Sequence, residues 1–97
     1  MTIRHTREAT AEAARAVEHY RGVSEALAHR FIHAFDEAIE HIVALPDARP
    51  LVAFGARRCK IERFPYVIVY RKEGDDIIVY AVAHQSRRPG YWRDRLP

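Results

Sequence analysis

The chain has 97 residues, of which 48% are hydrophobic and 30% are charged, and this excludes both a two-domain protein and a disordered segment. No run approaches the roughly 20 apolar residues that cross a bilayer, and the N-terminus lacks the apolar core of a signal peptide. The single cysteine, Cys59, has no partner for an internal disulfide and is predicted to be a small buried residue. We therefore expect one domain over residues 1–97, located in the cytoplasm and not in a membrane.

The formal net charge of +3 is unevenly distributed along the chain. Ten basic and five acidic residues lie from Arg57 onward, whereas the first 56 residues hold six basic and eight acidic ones. This polarity indicates an anionic partner for the C-terminal half, or else a solvated basic face without a partner.

The first half of the sequence predicts a helical hairpin. Thr6 is expected to cap the first helix and Gly22 to end it, while Ser24 caps the second helix and Pro46 stops it. The two apolar stripes have helical spacing and consist of Ala9, Ala13, Ala16, Val17 and Tyr20, and of Leu27, Phe31, Ala34, Phe35, Ala38, Ile42 and Leu45. The wide apolar face of the second helix predicts packing against a sheet.

The second half predicts that sheet. The segment "PDARPLVAFGA" holds two prolines and a glycine and is expected to be an irregular loop, whereas "RRCKIERF" alternates apolar and charged residues as a strand does. The segments "FPYVIVYR" and "DDIIVYAVA" predict central strands joined by a tight turn at "KEGD", and "TIR" predicts a further edge strand. "PGYWRDRL" predicts a short terminal helix with Pro89 at its first position. The fold class is therefore α+β, a helical hairpin packed on a three- to four-stranded antiparallel sheet.

The second helix repeats polar residues that resemble a metal site. His29, His33, Glu37 and His41 recur every four residues, but they lie opposite the apolar stripe, and the glutamate that follows the first histidine of a zinc-binding pair is absent. We interpret the row as a solvated face and predict no metal. Ser86 and His84 lack a third member for nucleophilic catalysis, and no glycine-rich phosphate loop exists, so no cofactor is expected.

Basic and aromatic residues gather at the ends of the predicted strands. Arg58 and Lys60 share one sheet face and Arg63 closes their strand, while the last strand is followed by His84, Arg87, Arg88, Tyr91, Trp92 and Arg95. If these ends meet, they form a surface that binds phosphates and stacks bases. The alternative is that Tyr91 and Trp92 cover the end of the sheet while the arginines contact water or Asp94. Both interpretations stay open from the residues alone.

The whole pattern resembles the RelE/ParE superfamily of toxins from bacterial type II toxin–antitoxin modules. The resemblance covers nearly the entire chain and lies in "AVEHY", in "RF" at Arg30 and Phe31, in "LP" before the loop, in "RFPY" and in "AVAH" followed by "RRPGYW". It implies a toxin that a co-expressed antitoxin neutralises by occupying the groove of the helical hairpin and the sheet edge. RelE-like members are ribosome-dependent mRNA endonucleases, whereas ParE-like members inhibit DNA gyrase and have no nuclease site.

The resemblance also separates these branches. Arg58 and Lys60 match basic residues of the nucleases and Tyr91 matches their C-terminal tyrosine, but Val67 or Ile68 stands where the central-strand arginine would be. Gln85 falls near a later arginine, although His84 can substitute there. Losing an arginine that neutralises transition-state charge costs orders of magnitude in rate.

We therefore favour a ParE-like inhibitor of DNA gyrase, of the plasmid-stabilisation type, without catalytic residues. The alternative is a ribosome-dependent mRNA endonuclease in which Arg58 and Lys60 hold phosphates, Arg87 or Arg88 stabilises charge, and His84 or Tyr91 transfers protons. A third hypothesis is a member that only binds its antitoxin and is no longer toxic.

Overall fold

The helical hairpin forms as the sequence predicts. The computed structural model describes residues 2–97, with helix α1 at Arg7–Arg21 and helix α2 at Glu25–Ala44. The side chains of Thr6 and Ser24 accept hydrogen bonds from the backbone N–H groups of Ala9 and Leu27 at 3.1 and 3.0 Å, so both predicted N-caps are in place. No helix within residues 2–97 is long and apolar enough to cross a membrane.

The sheet has five strands rather than three or four, and it is mixed rather than wholly antiparallel. The strands are β1 (Thr2–His5), β2 (Leu51–Ala53), β3 (Ala56–Lys60), β4 (Tyr66–Glu73) and β5 (Asp76–His84), in the spatial order β1-β5-β4-β3-β2. The predicted edge strand at "TIR" is β1, and it pairs in parallel with β5, from Thr2 opposite Asp76 to His5 opposite Val79. The other neighbours are antiparallel. The α+β class is confirmed.

The fifth strand arises in a segment that was expected to be an irregular loop. Phe54 and Gly55 have φ values of 54° and 78°, in the left-handed region, and they turn the chain so that β2 folds back onto β3. The prediction of an irregular loop, which was based on the two prolines, was wrong. A tight turn at Phe54 and Gly55 lets Leu51 pair with Arg57, although Pro50 precedes Leu51.

The first core lies between the helices and one sheet face. Its largest fully buried side chains include Phe31 and Ile42 of α2 and Tyr70 of β4. Tyr20 packs its ring edge-on against Phe64, with centroids 5.0 Å apart, and thereby joins α1 to the β3–β4 turn. Cys59 is buried in this core as predicted, and burial raises the pKa of its thiol.

A second core covers the opposite sheet face. A bulge at Tyr80 shifts the alternation of β5, since Val69 pairs with Ala81 but Tyr70 pairs with Val79. Ala81 consequently faces away from the helices, where it packs with Ala56, Val69 and Trp92. Trp92 comes from the C-terminal tail, which we define as residues 85–97. The tail therefore supplies part of the core.

The short terminal helix predicted for "PGYWRDRL" is present as a single 3₁₀ turn at Arg93–Arg95. It begins four residues after Pro89, so the placement of Pro89 at its first position was wrong. Gly90 has a φ of +76°, and the bonds Tyr91 N–H to Arg88 C=O and Arg93 N–H to Gly90 C=O both span three residues. The left-handed glycine and these tight turns lead the chain to Trp92, which packs on the sheet.

Candidate functional site

The C-terminal tail is attached to α1 through the unpaired edge of β5. Among the described residues, no strand lies beside β5 beyond Val79 on the side where β1 ends. There the Val82 N–H donates to Glu12 Oε1 at 3.0 Å, and the Tyr80 C=O accepts from Arg95 Nη1 at 2.9 Å. Two side chains thus satisfy backbone groups that a further strand would otherwise pair.

Glu12 is the centre of this attachment. Its side chain is 5% exposed and accepts hydrogen bonds from Nη1 and Nη2 of Arg95, at 2.8 and 3.1 Å. Burial alone would raise the pKa of this carboxyl, but the hydrogen bonds from Arg95, Tyr91 and the Val82 N–H lower it below its usual value. Glu12 therefore stays ionised and holds the tail by charge-assisted bonds.

Tyr91 connects Glu12 to the protein surface. Its hydroxyl donates to Glu12 Oε2 at 2.6 Å, and burial together with this hydrogen bond raises the pKa of Tyr91 to about 12. The guanidinium carbon of Arg87 lies 3.9 Å from the centre of the Tyr91 ring, and that of Arg95 lies 5.1 Å away. Both distances are within the range of cation–π attraction. The position of the exposed Arg87 is thus set, through Tyr91, by a buried carboxylate.

Beside Tyr91 the tail and the sheet enclose a cleft of about 360 Å³. We call it the arginine cleft. Its floor is aliphatic and consists of Val52, Ala53, Val67, Val69 and Ala83, while its rim carries Arg58, Arg87, Arg88 and Arg93. Phe54 forms one wall, and the guanidinium carbon of Arg93 lies 5.6 Å from the centre of its ring.

The rim arginines have no counter-ion in the described part of the chain, and they share this property with Arg7 and Arg15 of α1. Within residues 2–97, no carboxylate oxygen lies within 4 Å of the guanidinium group of Arg58, Arg87, Arg88 or Arg93, although each is exposed. Four of the sixteen Lys and Arg residues thus lie around this one cleft and give it a positive potential.

Six of the nine residues predicted to form a binding surface line the cleft, namely Arg58, His84, Arg87, Arg88, Tyr91 and Trp92. Trp92 is only 6% exposed and belongs to the second core, so its ring is not presented to a partner. Arg95 lies behind Tyr91 in the ion pair with Glu12. The remaining two are elsewhere: Lys60 Nζ donates to the Phe64 C=O at 3.3 Å, and Arg63 lines a separate groove against α2.

His84 occupies the edge of the cleft. It pairs with Tyr66 across β4 and β5, and the two rings meet edge-on with centroids 5.1 Å apart. Its Nδ1 accepts from the Ser86 N–H at 3.0 Å and lies 2.7 Å from Ser86 Oγ. These two contacts with Ser86 hold the imidazole ring in place.

Three residues of the site were not predicted. Phe54 lies in the segment interpreted as a loop, and Arg93 was counted only as part of the basic excess. Glu12 had a detectable signal, because it stands three residues after Ala9 and four before Ala16, within the apolar stripe of α1. A carboxylate in such a stripe indicates a buried charge that needs a partner.

The histidine row of α2 lies on the solvent side. His29 and His33 have exposed side chains, and His33 Nε2 lies 3.6 Å from Glu37 Oε1. Within residues 2–97, no three His, Cys, Asp or Glu side chains are grouped closely enough to hold a metal ion.

Comparisons with known proteins agree on one group. The family model described as the ParE toxin of the type II toxin–antitoxin system parDE matches residues 3–89. Among solved structures, a chain of the chromosomal ParDE TA system from P. aeruginosa superimposes with a TM-score of 0.65 and 22% sequence identity, over 87% of this chain and 95% of that chain. No curated protein matches the chain.

Proposed function

We propose that this chain, which belongs to the family of ParE toxins of type II toxin–antitoxin systems, is the toxin of such a module. It inhibits DNA gyrase through the arginine cleft, and a cognate antitoxin neutralises it. We choose the arginine cleft as the surface that meets gyrase because its four rim arginines are exposed and have no counter-ion within residues 2–97. Charges of one sign that converge without partners favour association with an anionic or acidic surface. The action would take place in the cytoplasm, where gyrase is found.

The geometry supports binding rather than cleavage of the target. The Tyr91 hydroxyl is already committed to Glu12, and a pKa of about 12 makes it a poor proton donor near neutral pH. By the resemblance, Val67 or Ile68 stands where RelE-like nucleases carry a central arginine, and Val67 is part of the aliphatic floor. The arginine cleft therefore has charge to attract a partner, but its tyrosine is not free to transfer a proton.

The antitoxin is proposed to bind elsewhere on the molecule. A groove of about 660 Å³ runs between α2 and the β3–β4 turn, with Leu27 and Phe64 as apolar lining and Arg63 at its edge. Its charges are of both signs, so it suits an amphipathic helix better than a polyanion. The outer edge of β2, with Leu51 61% exposed, is open to strand addition.

Gyrase supercoiling and DNA cleavage assays with the purified chain test the proposal. Wild-type protein should inhibit supercoiling and trap cleaved DNA, and the double variant Arg58→Ala/Arg88→Ala should lose most of this inhibition. Arg7→Ala/Arg15→Ala removes two exposed charges of α1 that lie outside the cleft, and it should inhibit as wild type does. Unimpaired gyrase in the presence of the wild-type chain would contradict the proposed target.

The mRNA endonuclease hypothesis is examined in parallel on programmed ribosomes. We expect no cut at the A site. A cut that disappears in His84→Ala combined with Tyr91→Phe would replace gyrase inhibition by RNA cleavage as the function.

A further inference from the structure

The arginine cleft combines two features that together specify a ligand. Its floor is aliphatic, and its rim carries guanidinium groups that have no counter-ion within residues 2–97. We propose that the cleft docks an acidic segment of a protein partner, which places an apolar side chain on the floor and carboxylates against the rim arginines. This inference rests on the proposed function in taking the cleft as the surface that meets the partner.

The floor selects for an apolar anchor. Val67 is partly exposed, Val69 is 2% exposed, and Ala83 and Val52 surround them, so the base of the cleft offers almost no hydrogen-bonding side chain. A volume of about 360 Å³ is at the low end for ligand pockets and accommodates one or two side chains rather than a helix. A leucine, isoleucine or phenylalanine of the partner meets these requirements.

The rim selects for carboxylates. Guanidinium groups bind carboxylates through two parallel hydrogen bonds, and they do so best when their orientation is fixed before binding. Arg87 is held over Tyr91 and Arg93 over Phe54, so two of the four groups are oriented in the free protein. The partner's acidic residues are therefore expected on both sides of its apolar anchor.

The same contacts disfavour single-stranded nucleic acid as the occupant. Proteins that bind unpaired bases offer several open aromatic faces, but Arg87 already covers Tyr91 at 3.9 Å, so the 60% exposed Phe54 is the one open phenyl ring of the cleft within residues 2–97. Trp92 is buried. An oligonucleotide would therefore contact the rim through phosphates, stack at most on Phe54 and leave the aliphatic floor empty.

A phage-displayed library of random dodecapeptides, selected on the full chain and depleted on Arg58→Ala/Arg88→Ala, tests the inference. We expect enriched peptides to carry a large apolar residue with aspartate or glutamate on both sides. The most enriched peptide is then synthesised with a fluorescent label, and its affinity is measured by anisotropy for each variant.

Three variants separate the contributions of rim and floor. Arg58→Ala/Arg88→Ala should lower the affinity for the labelled peptide about tenfold or more, because two charge-assisted contacts are lost. Val67→Thr keeps the shape and the strand preference of the floor but adds a hydroxyl, and it should weaken the peptide about threefold to tenfold. Arg7→Ala/Arg15→Ala is the matched control and should bind as wild type does.

Unlabelled oligothymidylate is the competitor that represents nucleic acid. The inference predicts that it displaces the peptide poorly and that Val67→Thr does not change its own affinity. The inference is overturned if no peptide is enriched over the cleft variant, if enriched peptides lack acidic residues, or if oligothymidylate binds more tightly than every selected peptide. Failure of gyrase inhibition with intact peptide binding would instead contradict only the proposed target.

Discussion

Glu12 of α1 and Arg95 of the C-terminal tail form an ion pair that completes the edge of the sheet. Their two N–O distances are 2.8 and 3.1 Å, and each partner also bonds to a backbone group of β5 that has no strand beside it. The pair takes the place of a sixth strand and fixes the tail that carries most of the rim arginines. The positions of these rim arginines consequently depend on the buried carboxylate of Glu12.

Glu12→Ala is expected to destabilise the protein strongly. The variant leaves the half-buried guanidinium of Arg95 and the Val82 N–H without their acceptor, and breaking a buried pair in this way costs about 3–5 kcal/mol. Urea unfolding measures the loss. Glu18→Ala provides the control, because Glu18 pairs with Arg21 on the exposed face of α1 and should contribute less than about 1 kcal/mol. Similar losses for both variants would show that Glu12 is an ordinary surface residue.

The contribution of Glu12 is expected to depend on pH. Hydrogen bonds lower the pKa of its carboxyl in the folded state, so the native protein binds the proton less tightly than the unfolded chain does. Stability from this group is fully present above the unfolded pKa and is lost as the pH falls through the folded one. The difference in unfolding free energy between wild type and Glu12→Gln should be constant above about pH 5 and shrink below about pH 4. A difference that stays constant down to full protonation would exclude the ionised pair.

The tyrosines are expected to resist ionisation. Burial raises the pKa of all five, and hydrogen bonds to Glu73 and Glu12 contribute to bringing those of Tyr80 and Tyr91 to about 12. A raised pKa means that this stability is present below the unfolded value and disappears as the pH rises through the folded one. Ultraviolet absorbance of the native protein at about pH 10, where free tyrosine is half ionised, should therefore show far less than half of the tyrosinate signal. The denatured chain is the control, and equal signals would contradict the contacts.

Trp92 is expected to report on the position of the tail. It is the single tryptophan, it is 6% exposed, and it packs on Ala56, Val69 and Ala81. Its fluorescence should be blue-shifted and poorly quenched by iodide. In Glu12→Gln, whose tail is held more weakly, quenching should increase, whereas Glu18→Gln should leave it unchanged. Trp92→Ala should cost about 3–5 kcal/mol of stability, as the loss of a large buried aromatic does. Fluorescence typical of free tryptophan in the wild-type protein would show that the tail does not cover the sheet.

The helical hairpin and the central strands were predictable because their signals are local. Thr6, Ser24 and the spacing around Phe31 each act within a few residues, and the structure has helices at those places. The parallel pairing of β1 with β5 depends on residues more than 70 positions apart, as in Thr2 opposite Asp76, and no local pattern encodes it. The strand β2 was not predicted, because the two prolines of its segment indicated a loop. The turn that allows this strand to pair depends on the left-handed backbone of Phe54 and Gly55.

The candidate site was predictable in location but not in its individual contacts. The basic excess after Arg57 indicated the end of the sheet at which the arginine cleft lies. Sequence does not distinguish an arginine that faces solvent, such as Arg88, from one that neutralises a buried acid, such as Arg95. Trp92 was ambiguous for the same reason, since aromatic residues serve equally in cores and in binding surfaces. The structure identifies the role of Arg95, because it shows the guanidinium group paired with the buried carboxylate of Glu12 in α1.

The most direct measurement of the central claim, that the arginine cleft is the working surface of a toxin, is the viable count after induced expression in bacteria without the antitoxin. The wild-type chain should arrest growth, and Arg58→Glu/Arg88→Glu should not, although circular dichroism shows it to be folded. Arg7→Glu/Arg15→Glu carries the same change of charge on α1 and should arrest growth fully. Growth arrest by the cleft variant equal to that of wild type, or normal growth with the wild-type chain, would contradict the account.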